Sequence, residues 1–187
     1  MLGRLGSRDG LGHKTCRLKG LVSPRFKIEW YQDARGDAPV HRWLTEELSD
    51  GARELVGAAI LEILQADGPD VCGTRFGRQL GDGVFEFRLD GDPQPWIDAA
   101  RRSRGKKPTG ERLQSERIQY RLFCHAHGDR LILLLGAYDK GEDVSKKRQQ
   151  DEIATAKARL KMWAQQQRLK SKAAHRAPAS RSGKKRP

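Results

Sequence analysis

The sequence predicts a small α+β domain, with two N-terminal helices and a C-terminal helix packed on one face of a mostly antiparallel four-stranded sheet. Three observations carry this expectation. Four segments, at 26–31, 84–89, 118–124 and 131–138, alternate or run apolar over strand length. Two segments with helical spacing separate the first strand from the second, and a third follows the last strand. Tight glycine turns open the second strand and join the last two, which makes those neighbours antiparallel.

In the first strand, Phe26, Ile28 and Trp30 alternate with Lys27, Glu29 and Tyr31. Pro39 suits the first turn of a short helix through Leu48, because a proline there lacks only an N–H that would have no helical partner. After Ser49-Asp50-Gly51, residues Ala52, Leu55, Val56, Ala59, Ile60 and Ile63 mark a second helix that Gly68-Pro69 ends. A basic connection with Arg75 and Arg78 leads to Gly81-Asp82-Gly83 and the second strand. There Phe85, Phe87 and Leu89 form one face and Val84, Glu86 and Arg88 the other. Ile118, Tyr120, Leu122 and Cys124 alternate with Gln119, Arg121 and Phe123 in the third strand. "HAHGDR" reads as a hairpin turn, and Leu131 to Tyr138 is apolar enough for a sheet centre. Ser145 can cap a long polar helix with a thin stripe of Ile153, Ala156, Leu160 and Trp163.

Residues 90–116 form a long insertion holding the basic run 101–107, of a length that is usually functional or disordered. Residues 1–24 read as a disordered basic leader, 25–165 as the domain, and 166–187 as a disordered basic tail with eight Lys/Arg and no acid. The whole chain carries a net charge of +13, a balance that favours nucleic-acid partners through counterion release. No apolar run approaches the roughly 20 residues needed to cross a bilayer, and no secretory signal is evident. Cys16, Cys72 and Cys124 suggest neither a disulfide framework nor a zinc site, so a cytoplasmic location is expected.

"LGDGVFEFRL" and "YRLFCHAHGDRLILLLGAYDKGEDVSKKRQQDEIATAKARL" resemble the phage-derived, HigB-like branch of the RelE/ParE toxin superfamily. Its members pair a strand ending in E-x-R with one opening Y-R, a hydrophobic strand ending in an aromatic and Lys, and a C-terminal Q…EI..A..R helix. The likeness covers residues 25–165 and implies a RelE-like fold. It also implies the toxin of a type II toxin–antitoxin pair: a ribosome-dependent endonuclease of mRNA, neutralised by a helix-turn-helix antitoxin and needing no cofactor. The 90–116 insertion exceeds the family's usual hairpin, the basic tail is additional, and no tyrosine follows Tyr138.

Metal-free RNA cleavage uses the substrate's own 2′-hydroxyl as nucleophile, so the enzyme must align attack, move protons and offset charge on the phosphoryl oxygens. Arg88 and Arg121 are the candidates for that charge, since strand alternation turns each from the apolar side of its strand. By resemblance they occupy basic active-site positions together with Lys140. Glu86 shares the face of Arg88 and could accept a proton or pair with it. Arg75, Arg78, Tyr138 and the cluster Arg101, Arg102, Arg104, Lys106 and Lys107 are candidates for RNA binding. The competing view of the sheet arginines is a solvated face carrying surface ion pairs of little energetic weight. His125 and His127 beside Cys124 fit solvent-facing turn residues better than metal ligands, so no metal is expected. Two other functions stay open: a ParE-like gyrase-binding toxin, and a non-enzymatic phage or mobile-element protein that binds nucleic acid.

Overall fold

A computed structural model describes residues 25–108 and 118–176; the leader, residues 109–117 and residues 177–187 lie outside the described part. The chain opens with β1 (Lys27–Trp30) and enters α1 (Pro39–Arg42), which widens into a π-helical stretch at Trp43–Glu47. α2 (Asp50–Ala59) begins at Ser49, whose hydroxyl accepts from the Ala52 N–H at 3.3 Å. It continues through a π-helical stretch at Ile60–Leu64 and the short α3 (Gln65–Asp67). Gly68 ends this run with φ of +57°, and an added Cβ there would lie 2.3 Å from the Phe26 ring. A 3-10 stretch, Gly68–Gly73, then leads to β2 (Gly77–Gly81) and β3 (Val84–Gly91). α4 (Gln94–Ser103), β4 (Ile118–His127), β5 (Leu131–Asp139) and α5 (Lys146–Arg176) complete the order.

The sheet is five-stranded and mixed, in the order β1-β5-β4-β3-β2, with β1 parallel to β5 and the other pairs antiparallel. The expected four-stranded sheet is therefore corrected by one strand. β2 reads as a connection because "GRQLG" has a single large apolar residue; it is an edge strand that buries little and, among the described residues, pairs only with β3.

The helices also occupy both faces. Val40, Trp43, Val56, Ile63, Phe85, Phe87, Leu122 and Leu134 join the helices α1–α4 to one face in the main core. On the other face Tyr31, Val84, Phe123, Leu133, Leu135 and Tyr138 meet Ala156 and Trp163 of α5. A β5 apolar on both sides requires cover on both sides. The predicted stripe is the docking edge of α5, with Ile153 and Leu160 packed at its margin. Ser145 accepts from the Arg148 N–H at 3.1 Å at the helix start. α5 continues through 166–176, where the sequence suggests a disordered tail to begin. The 90–116 insertion contains α4, opened by Asp92, whose carboxylate accepts from the Gln94 N–H at 2.9 Å. No helix among the described residues is long and apolar enough to cross a membrane.

Gly77 is fixed by its surroundings. A Cβ there would lie 2.6 Å from the Cys72 nitrogen and from the Val71 carbonyl, which are backbone atoms that cannot rotate away. Gly77→Ala is expected to cost about 1–3 kcal/mol by overpacking. Gly73→Ala, whose Cβ would meet nothing within 4 Å, should leave the thermal midpoint almost unchanged. Equal melting of the two variants would show that the 3-10 stretch yields instead.

Candidate functional site

Strand alternation and register assemble one polar cluster on the α5 side of the sheet. Arg88 of β3 lies opposite Arg121 of β4, which lies opposite Tyr138 of β5. In the adjoining row Arg78 of β2 lies opposite Glu86 of β3. The Glu86 side chain is 1% exposed and its carboxylate faces three guanidinium groups. Arg78 Nε stands 3.7 Å and Arg88 Nε 3.9 Å from Oε2, and Arg121 Nε stands 3.8 Å from Oε1. At these separations charge attracts without forming hydrogen bonds. The close donor to Glu86 comes from α5, where Gln149 Nε2 reaches Oε1 at 3.1 Å.

The arginines differ in what remains free. Arg121 is 6% exposed; its Nη2 pairs with Asp90 Oδ1 at 2.8 Å and its Nη1 donates to the Tyr120 carbonyl at 3.0 Å. Arg88 is 28% exposed and donates from Nη2 to the Gly77 carbonyl at 2.9 Å, while Arg78 is 51% exposed. Among the described residues, the buried side-chain polar atoms without a hydrogen-bond partner are Arg88 Nε, Arg121 Nε and Tyr138 Oη, all in this cluster. Such groups cost free energy when unpaired, so their concentration in one place marks a site.

The face is neither open nor simply solvated. α5 lies on Phe123 and Leu133 with its apolar stripe and reaches Glu86 through Gln149, and Arg121 on the same side of the sheet is buried. The cluster meets solvent at the Arg78–Arg88 edge and at Asp90. Tyr138 is 3% exposed, stacks on Phe123 with centroids 5.9 Å apart, and carries the Arg148 guanidinium 5.8 Å from its ring. Burial first, then the Glu86 charge, raises its hydroxyl pKa. This packing buries the ring of Tyr138, a candidate for RNA binding from the sequence. Lys140 is half-buried one residue beyond β5, its N–H donating to the Gln119 carbonyl at 2.8 Å.

The other predicted cations lie elsewhere. Arg75 Nη2 donates to the Asp90 carbonyl at 3.2 Å, and its guanidinium stands 5.5 Å from the Trp96 ring. Arg101, Arg104 and Lys106 converge on the buried carboxylate of Glu62 at 3.3, 2.5 and 3.1 Å. Those three hold α4 against the π-helical stretch after α2, and Arg102 and Lys107 stay exposed. Glu62 and Trp96 are absent from the sequence-based candidates. The prolines flanking Gln94 mask the helix that carries Trp96.

His125 and His127 belong to β4 rather than to a turn. Both rings pack edgewise on Trp163, with centroids at 6.0 and 4.9 Å, and His125 Nδ1 lies 2.8 Å from the Gly83 carbonyl. Cys124 points to the opposite face, where burial pushes its thiol pKa well up. Among the described residues no three His, Cys, Asp or Glu side chains gather as a metal-binding group.

Compared with known proteins, the chain matches no protein-family model, no curated protein and no solved structure.

Proposed function

We propose that the chain is a RelE/ParE-type toxin of the HigB-like branch, acting in the cytoplasm as a ribosome-dependent mRNA endonuclease restrained by a helix-turn-helix antitoxin. The observation that carries this reading is the Arg88–Arg121 pair, set across adjacent strands with both Nε donors unpaired. Arg88 and Arg78, at the open edge, are the cations that meet the scissile phosphate and its neighbour. Arg121 and Glu86 act through them as positioning residues, since both are buried. Lys140 enters on the resemblance alone. The substrate's 2′-oxygen forms the new bond to phosphorus while the bond to the 5′-oxygen breaks. The 2′-proton must leave, the 5′-oxygen must gain one, and the guanidinium groups offset the charge between these events.

Mapping RNA 5′ ends after induced expression tests the reading, which expects breaks confined to translated regions. Arg88→Ala should lower the saturating cleavage rate by about a hundredfold to a thousandfold, the loss of one transition-state donor at about 2.7–4 kcal/mol. Intact messages with stalled gyrase would replace this proposal with gyrase binding. One observation favours a second reading, a non-enzymatic nucleic-acid-binding protein: both terminal nitrogens of Arg121 are already committed to Asp90 and Tyr120. That reading expects RNA binding with no cleavage in the wild type.

A further inference from the structure

We infer that the groove between α4 and the Gly73–Phe76 segment is a subsite for a base of single-stranded RNA, with Trp96 as the stacking platform. The groove encloses about 740 Å³, within the range of small-molecule pockets. Trp96 is 46% exposed at its wall, a large aromatic left open to solvent. Its ring is braced edge-on by Phe76 at 5.8 Å, and the Arg75 guanidinium lies over one face at 5.5 Å from the centroid. A braced indole beside an arginine suits any base, because every base offers a π-face.

Charge selects the occupant. The groove lining sets Glu62 and Asp67 against Arg75 and Arg104, and Arg101 and Lys106, which also pair with Glu62 from outside the lining, tip the surroundings of that wall to positive. An apolar peptide would gain nothing from those cations, whereas the phosphates flanking a stacked base would. The groove also joins the strand cluster. Arg75 holds the carbonyl of Asp90, and the Asp90 carboxylate holds Arg121. The cluster lies on the α5 side of the sheet and the groove on the α4 side, so one strand of RNA would reach both by passing around the end of β3. The subsite rests on the RNA-directed reading above but not on cleavage.

The test is anisotropy with a fluorescein-labelled 2′-O-methyl RNA of roughly ten nucleotides, which lacks the nucleophilic hydroxyl and cannot be cut. Trp96→Ala should weaken binding about tenfold, the scale of one lost stacking contact, and Trp96→Phe should restore most of it. An otherwise identical strand with abasic sugars throughout should show the wild type the same loss, a readout that needs no variant to fold. Equal binding by wild type and Trp96→Ala, or of intact and abasic strands, would overturn the subsite and leave the groove to an apolar partner. Wild-type protein that binds no RNA at all would remove the subsite and the RNA-directed reading together. Tight binding without cleavage on ribosomes would keep the subsite and remove only the endonuclease.

Discussion

Glu86→Ala is expected to lower the unfolding free energy by about 3–5 kcal/mol, the usual consequence of removing one partner from a buried charge group. The carboxylate is the shared counter-ion of Arg78, Arg88 and Arg121, and its partners differ in their means of escape. Arg78 is half-exposed and can turn to water, so Arg78→Ala should cost less than about 1 kcal/mol. Arg121 is 6% exposed and would keep Asp90 as a counter-charge and the Tyr120 carbonyl as a hydrogen-bond acceptor. The Gln149 amide would also lose its acceptor. Urea denaturation reads the effect directly. With a slope of about 1–3 kcal/mol per molar, the midpoint should fall by more than about 1 M. A midpoint unchanged from wild type would show that Asp90 alone balances Arg121 and that Glu86 is not what holds the cluster.

The legible and the hidden parts of this site follow from range. Alternation is a local property, so the placement of Glu86, Arg88 and Val84 on one face of β3 is readable, as is the turn of Arg121 away from Leu122. Their convergence on one carboxylate depends on register between strands, and the position of Arg78 depends on β2, which its glycines hide. The parallel pairing of β1 with β5 joins residues about a hundred positions apart and leaves no local mark. The second covered face had a signal. Phe123, Leu133 and Leu135 are apolar residues on what would otherwise be a solvent side, and they match the α5 stripe in character. The thinness of that stripe, with alanine at a central position, obscures the match. For the 101–107 run, composition marks cations but cannot reveal Glu62, because that residue lies far back in the chain on a helix read for its apolar face.

Trp163→Ala is expected to cost about 3–5 kcal/mol at the α5 contact, the range for emptying a buried aromatic site. The indole is the largest side chain that α5 buries, and it touches the sheet through the edges of His125 and His127. The other attachments are smaller, among them Ala156, the margins of Ile153, Leu160 and Ala164, Gln149 donating to Glu86 at 3.1 Å, Arg148 over the Tyr138 ring, Arg159 donating to the Leu135 carbonyl at 2.8 Å, and the Lys157–Asp82 pair at 2.8 Å. Each is individually weak compared with the buried indole, so the loss should appear first as local opening of α5. Hydrogen exchange should therefore speed up along Lys146–Arg176 and at Phe123 and Leu133, whose side chains α5 covers, while α2 keeps its protection. Leu169→Ala, on the exposed length of the same helix, should change neither. Because Gln149 and the first turns of α5 close over Glu86, the same opening should bring Arg121 into contact with solvent. Uniform destabilisation of both faces, with α5 no faster than α2, would instead show that the two cores unfold as one unit and that the cover on the arginine cluster cannot lift by itself.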